Sequence, residues 1–246
     1  MKILLIDIET SPYTTYVWGM FKQFVNPDNI IDTAYVMCYS AKWLGEDTIF
    51  FDSVYQSNTK KMLKGIHKLL DEADAVVHYN GTKFDIPILN REFLLHGMTP
   101  NPPYKQMDLL KVAKNKFKFA SNKLDFIAKQ LGLGAKVKTP GMKLWIDCMA
   151  KDATAWKIME EYNKHDVILL EKVYDKFKPW IKQHANYSVI NNELVCPNCN
   201  GHHYQKRGFA YTQTAKYQRY QCKDCGNWFR GGKSLAGSPE EKFVNV

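Results

Sequence analysis

The stretch KILLIDIET, residues 2–10, is the tightest constraint on what this chain can fold into. Its apolar residues occupy both faces of an extended segment, the pattern of a strand covered on each side. Into that run the sequence sets two acids, Asp7 and Glu9. Side chains two apart on a strand share a face, with Cα atoms roughly 7 Å apart. Two carboxylates on one face of a central strand repel each other and resist burial unless each pairs with a lysine, caps a helix or meets a cation.

The segments 33–43 and 47–55 read as two further strands joined by the turn-rich LGED, with 75–80 a short buried strand and 105–110 a fifth. Residues 58–72 place Met62, Ile66, Leu69 and Leu70 at helical spacing. The run 85–97 predicts a helix capped by Asp85, with Pro87 in its first turn and Gly97 as its stop. SNKLDFIAKQLGLG predicts a short helix with a Ser/Asn cap and a glycine stop, and a long helix covers about 153–180. Three successive strands, then helix, strand, helix and strand, predict a mixed α/β sheet with helices on both faces.

On the long helix, Met159, Tyr162, Asp166, Leu169, Leu170, Val173 and Phe177 fall at three- and four-residue spacings. That is the stripe a helix turns toward a core, and Asp166 takes a slot that calls for leucine. Tyr162 lies one turn before it on the same face. Taken with Asp85 at a strand-to-helix junction and the pair on the first strand, four carboxylates make a poor core but a good bed for hard divalent cations such as Mg²⁺ or Mn²⁺. Two such ions about 3.5–4 Å apart steady the attacking and leaving oxygens of a displacement at phosphorus.

DIET, NGTKFD and the Tyr-x-x-x-Asp of YNKHD resemble the three exonuclease motifs of the DnaQ-like, RNase H-fold (DEDD superfamily) 3′–5′ exonucleases, in their tyrosine-bearing subgroup. Glu161 stands where the histidine-bearing subgroup has its histidine, and His165, beside Asp166, is given no catalytic role. The likeness covers about residues 1–180. It implies an RNase H-like sheet, with Asp7 bridging two Mg²⁺ or Mn²⁺ ions, Glu9 and Asp166 completing the first, and Asp85 holding the second. Tyr162 would aim the attacking water, because a phenol with a pKa near 10 is too weak a base.

The formal net charge is +9, and residues 194–246 hold 8 Lys/Arg against 3 Asp/Glu. A basic surplus of this kind favours a polyanionic partner, nucleic acid first. Between residues 109 and 146, Lys111, Lys114, Lys116, Lys118, Lys123, Lys129, Lys136, Lys138 and Lys143 accompany one acid, Asp125. Such a run suits a surface that tracks a phosphodiester backbone.

Cys196, Cys199, Cys222 and Cys225 form two C-x-x-C pairs flanking 22 residues, while Cys38 and Cys148 stand alone as expected buried thiols. The paired spacing predicts one structural Zn²⁺ on four thiolates. A module of this size hardly builds its own core, so the metal would supply much of its folding energy. Its arms interleave Lys206, Arg207, Lys216 and Arg219 with Tyr211, Tyr217 and Trp228, a composition suited to stacking bases while neutralising phosphates. The run resembles the zinc ribbons found with transposon and transcription proteins; docking to a protein is the rival role.

With 45% hydrophobic and 13% aromatic residues the chain fills a real core. ILLI is cut short by Asp7, so neither a signal peptide nor a membrane span is expected, and a cytoplasmic site follows, in a cell or a virus-infected host. The expected organisation is an exonuclease domain over 1–182, a linker over 183–193, a zinc ribbon over 194–230 and a flexible tail over 231–246. The expected activity is 3′–5′ exonucleolytic hydrolysis of single-stranded nucleic acid, DNA favoured over RNA, with a polymerase or other replication protein as a further partner. RNA trimming, an RNase H-like endonuclease and a catalytically silent nucleic-acid-binding adaptor are the alternatives.

Overall fold

KILLIDIET forms strand β1 (Ile3–Thr10) in the computed structural model, which describes residues 1–236. There follow the short pair β2 (Thr14–Thr15) and β3 (Ile30–Asp32), then β4 (Val36–Trp43), β5 (Ile49–Ser53), α1 (Thr59–Asp71), β6 (Ala75–His78), α2 (Asp85–Leu95) and β7 (Lys105–Asp108). After these come α3 (Leu109–Lys116), α4 (Leu124–Gln130), α5 (Met142–Met149) and α6 (Ala153–Phe177). The chain divides into two compact units, one over Lys2–Tyr174 and one beginning at Asp175.

In the first unit five strands lie in the order β5-β4-β1-β6-β7. β1 runs antiparallel to β4 and parallel to β6, so the sheet is mixed as its strand order in sequence predicts. Leu4, Leu5 and Ile6 are wholly buried at its centre. Burying one such side chain contributes about 1.5–3 kcal/mol. Leu4, Ile6 and Ile8 pack with Met62, Ile66 and Leu70 of α1 and with Leu89 and Phe93 of α2. A second cluster joins Met37 and Cys38 of β4 to Leu144 and Cys148 of α5 and to Trp156 and Met159 of α6. Helices therefore cover both faces, and the α6 stripe is buried at Met159, Asp166, Leu169, Leu170, Val173 and Phe177.

β6 has four residues and pairs with β1 only over Ile3, Leu4 and Leu5. The second half of β1 keeps β4 as a neighbour on one side, with Asp7 opposite Ser40, and has no β6 partner on the other.

Several local expectations need correcting. Asp85 opens α2 but does not cap it: the cap position is Phe84, with no side-chain bond. Its carboxylate instead accepts the Ile8 amide at 3.2 Å, a donor that the short β6 leaves unpaired. The expected fifth strand stops at Asp108, whose side chain accepts the Leu110 amide at 3.1 Å and starts α3, a helix concealed within the lysine run. α4 begins after Lys123 without a side-chain cap; Ser121 Oγ accepts the Lys123 amide at 3.3 Å. The helix α5 was also not anticipated.

In the second unit, residues 183–193 include the short helix α7 (Tyr187–Ile190), capped by Asn186. Strands β8 (Tyr204–Tyr211), β9 (Lys216–Cys222) and β10 (Trp228–Ser234) form an antiparallel sheet ordered β10-β9-β8. β10 thus takes in residues 231–234, which the sequence assigned to the tail; the rest of that tail from 237 on lies outside the described residues. Rings of Tyr204, Tyr220 and Phe229 pack together at 5.6–5.7 Å between centroids and brace this small sheet. Among the described residues no helix is long and apolar enough to cross a membrane.

Candidate active site

Asp7 and Glu9 point from β1 toward the face covered by α5 and α6. There the side chains of Asp7, Glu9 and Asp166 converge, with one carboxylate oxygen from each lying within 4.8 Å of the others. Strand alternation supplies two of the three groups, and the apolar stripe of α6 presses the third against them. Asn163, one turn before Asp166 and fully buried, donates to Asp7 Oδ2 at 2.7 Å. Trp145 of α5 hydrogen-bonds to Glu9. Asp85 stands beside the group rather than in it, bound to the Ile8 amide between the two β1 acids.

The turn between β6 and α2 brings Asp85 to this place. After β6, Asn80 adopts φ 70° and its amide donates to Asp108 Oδ1 at 3.0 Å. The next residue must be glycine, because a Cβ on Gly81 would lie 2.3 Å from the His78 ring. The glycine of NGTKFD is therefore a steric requirement of the turn that delivers Asp85.

Lys136 enters from the loop between α4 and α5. Its ammonium lies 2.5 Å from Asp166 Oδ2 and 3.2 Å from the Tyr162 hydroxyl. The loop is held by the Lys136 amide donating to Asp125 Oδ1 at 2.8 Å and by His165 Nε2 meeting the Ala135 carbonyl at 2.8 Å. His165 thus points away from the acids, onto the loop that carries Lys136. Burial works against the charge on Lys136, but Asp166, Asp7 and Tyr162 outweigh it and raise its pKa.

The acids are poorly satisfied as they stand. Burial raises Asp7 well above the usual carboxylate range, and the charges of Glu9, Asp166 and Asp85 add to it. Burial pushes Glu9 up to about 8, against the pull of Lys136. Asp85 rises to about 7, again through burial, with its own amide and that of Ile8 opposing. Asp166 is raised by burial despite Lys136, and its Oδ1 is buried with no hydrogen-bond partner among the described residues. An oxygen-only set of mutually repelling carboxylates, one oxygen of it orphaned, is a site that could hold a hard divalent cation. Burial and Asp166 raise the Tyr162 phenol, which stays protonated and donates to Asp166.

In the second unit the Sγ atoms of Cys196, Cys199, Cys222 and Cys225 also lie within 4.8 Å of one another. Cys196 and Cys225 are 3.7 Å apart, as are Cys199 and Cys222. Four thiolates at about 2.3 Å around a tetrahedral zinc stand about 3.8 Å apart, so the set could hold that ion. Gly201 permits the approach: a Cβ there would lie 2.1 Å from Asp224 Oδ2 and 3.2 Å from Cys199 Sγ. Cys38 and Cys148 are buried and free.

The basic residues separate into distinct roles. Lys129 pairs with Asp125 at 2.5 Å and Lys143 with Asp147 at 2.8 Å, while Lys136 belongs to the acid cluster. Lys111, Lys114, Lys116, Lys118, Lys123 and Lys138 are exposed. On the three-stranded sheet, Lys206 and Arg207 are exposed, and Lys216 lies 3.9 Å from the Phe209 ring and 6.0 Å from that of Tyr211. Register places Tyr217, Arg219, Trp228 and Arg230 on one face. There the Arg219 guanidinium sits 5.1 Å from the Trp228 ring and that of Arg230 sits 3.7 Å from the Tyr217 ring.

Sequence reasoning missed Asn163, Trp145 and the position of Lys136. Asn163 carried a signal, since it sits three residues before Asp166 on the same helix face. Nothing in the loop around Lys136 announced which lysine turns inward.

A family model for the RNase H superfamily matches residues 32–178, more than half of the sequence. The chain belongs to the RNase H superfamily. The match takes in Asp85, Tyr162 and Asp166; Asp7 and Glu9 lie ahead of it on the central strand. A comparison with curated proteins gives no match. Among solved structures, this RNase H-superfamily chain is similar to the family B DNA polymerase from the hyperthermophilic archaeon Pyrobaculum calidifontis, with 16% identity and a TM-score of 0.54. The alignment covers 72% of this chain and 24% of the polymerase chain, and at that identity it establishes the fold alone.

Proposed function

We propose that this RNase H-superfamily chain is a 3′–5′ exonuclease that hydrolyses phosphodiester bonds of single-stranded DNA. The observation that carries the reading is the convergence of Asp7, Glu9 and Asp166, one carboxylate oxygen from each within 4.8 Å of the others, with Asp166 Oδ1 buried and unpartnered among the described residues. Those three would hold Mg²⁺ or Mn²⁺, with Asp85 at the adjoining edge of β1. Bound there, divalent cations would make hydroxide available near neutral pH and stabilise charge at phosphorus.

The chain's own residues do the rest. Asn163 fixes the Asp7 carboxylate, and Trp145 fixes Glu9. Tyr162, a protonated donor one turn from Asp166, orients the attacking water. Lys136 neutralises Asp166 while the site is without cations and must give ground when they enter. The exposed lysines of α3 and the loop after it, including Lys116, Lys118 and Lys123, give the strand a cationic path. In the second unit the four cysteines hold one structural Zn²⁺, and the sheet they anchor grips nucleic acid through its stacked arginines and rings. The polarity of digestion follows from the likeness of the three motifs to tyrosine-bearing exonucleases.

One contact favours a second reading, a catalytically silent adaptor: the Lys136 ammonium already supplies Asp166 with a counter-charge. End-labelled single-stranded DNA and RNA, incubated with and without Mn²⁺, separate the two. A ladder shrinking from the 3′ end that vanishes in Asp7→Ala supports the exonuclease. Intact, retarded strands support the adaptor, internal cuts an endonuclease, and activity on RNA alone an exoribonuclease. Release of one zinc per chain on thiol modification tests the cysteine site.

A further inference from the structure

Between β1 and β4 the chain makes a long excursion, residues 12–34, that its connecting role does not require. Its base is clamped: the Ser11 amide donates to the Tyr35 carbonyl at 2.9 Å, and the Tyr35 amide to Ser11 Oγ at 3.0 Å. The pairing of β2 with β3 stiffens the stem, and Arg91 donates to the Ala34 carbonyl at 2.6 Å. Beyond the stem the chain displays Tyr16, Val17, Trp18, Met20, Phe21 and Phe24 to solvent. Trp18 is fully exposed and Phe24 is 92% exposed. Scattered apolar residues on a surface need no explanation, but six within nine residues do.

The finger leaves the sheet at the end of the strand that carries Asp7 and Glu9. Its root residue Tyr35 packs in the same apolar cluster as Trp145 and Tyr162. The stem is thus rooted on the apolar cluster against which Trp145 and Tyr162 of the acid site also pack. The exposed groups are mainly rings, interrupted by Gly19, Lys22 and Gln23, and residues 12–34 hold one lysine against two aspartates. Such a surface cannot attract phosphates. It can stack against bases, whose faces every nucleotide presents.

We infer that this aromatic finger stacks the unpaired bases of the strand whose terminal phosphodiester lies at the acids. The inference deepens the exonuclease reading and rests on it. Stacking and phosphate attraction leave different marks, because only the second depends steeply on salt.

The test is equilibrium binding of a fluorescent oligothymidylate and of a matched abasic oligomer to the full-length, zinc-loaded chain in Ca²⁺ without Mg²⁺ or Mn²⁺, with strand integrity checked on a gel. Wild type should prefer the oligothymidylate. The triple variant Trp18→Ala, Phe21→Ala, Phe24→Ala should bind it about tenfold or more weakly, at an unchanged salt slope, and lose the preference over the abasic strand. Equal binding of oligothymidylate by variant and wild type overturns the proposal, as does an equal loss on both strands. Melting temperature reports folding, and if the triple variant melts early the single Trp18→Ala, at a fully exposed position, repeats the comparison. Hydrolysis of the p-nitrophenyl ester of thymidine 5′-monophosphate by wild type in Mn²⁺ is followed separately. Its absence overturns the exonuclease reading, whereas unchanged binding in the finger variants overturns the finger.

Discussion

The Lys136 ammonium rests 2.5 Å from Asp166 Oδ2, so a side chain from a loop supplies the positive charge that an acid cluster on strand and helix demands. Asp166 is almost wholly buried, whereas the Lys136 side chain is about a third exposed, so the lysine is the partner able to leave.

Replacing it should expose that dependence. Lys136→Met is expected to destabilise the metal-free chain by about 1–3 kcal/mol, the cost of stranding a buried carboxylate, reduced for the lysine's partial exposure. Mn²⁺ no longer has to displace an ammonium, so it should raise the melting temperature of the variant more than that of wild type. Thermal denaturation of the zinc-loaded chain without and with added Mn²⁺ reads both effects. An identical metal response in the two proteins would show that Lys136 does not guard the site.

Stability of the metal-free chain should fall as pH rises. Glu9 sits at about 8 and Asp85 at about 7 when folded, against ordinary values of about 4.3 and 3.9 when unfolded. Between about pH 4 and 8 the folded chain retains protons that the unfolded chain has released, and stability drains away as those protons leave. Bound Mn²⁺ replaces the protons and should flatten the slope. Melting curves across pH 5–8, with and without the ion, measure it; a metal-free chain that gains stability toward pH 8 contradicts the assignment.

Tyr162→Phe should leave Mn²⁺ affinity within about twofold, because the phenol is a donor to Asp166 and not itself an anion. Loss of a hydroxyl that orients the nucleophile is expected to lower kcat by about 10²-fold with little change in KM. Single-turnover digestion and calorimetric Mn²⁺ titration separate these quantities. A variant that binds no Mn²⁺ makes the tyrosine structural.

On the three-stranded sheet, Arg219→Ala and Arg230→Ala should each weaken single-stranded DNA binding and reduce the magnitude of the salt slope by about one. Trp228→Ala should weaken binding while leaving that slope alone. Affinities at several salt concentrations decide; unaltered binding in all three variants favours a protein as this sheet's partner.

The sequence announced much of this arrangement, for identifiable reasons. β1 was legible because apolar residues on both of its faces admit few other roles, and the α6 stripe because its period persists over about five turns, from Met159 to Phe177. Asp166 stood out as a charge in an otherwise apolar series. α3 escaped notice because it is eight residues long and lies within a stretch whose lysines dominate any pattern, and α5 because eight residues are too few turns for a period to stand out. Asp85 was misread for a subtler reason. An acid at the start of a helix is the usual cap, and nothing local discloses that β6 ends early and leaves the Ile8 amide in need of an acceptor. Lys136 depends on a fold-level placement of its loop, beyond the reach of any local period.

The brevity of β6 has a consequence of its own. β1 outruns its parallel neighbour, so half of the strand is girder and half is open ledge, and the mouth of the site is made by stopping a strand rather than by hollowing out the interior. Continuing β6 by two residues would undo the turn at Asn80 and Gly81 and set its backbone opposite Asp7 and Ile8, in competition with Asp85 for the Ile8 amide.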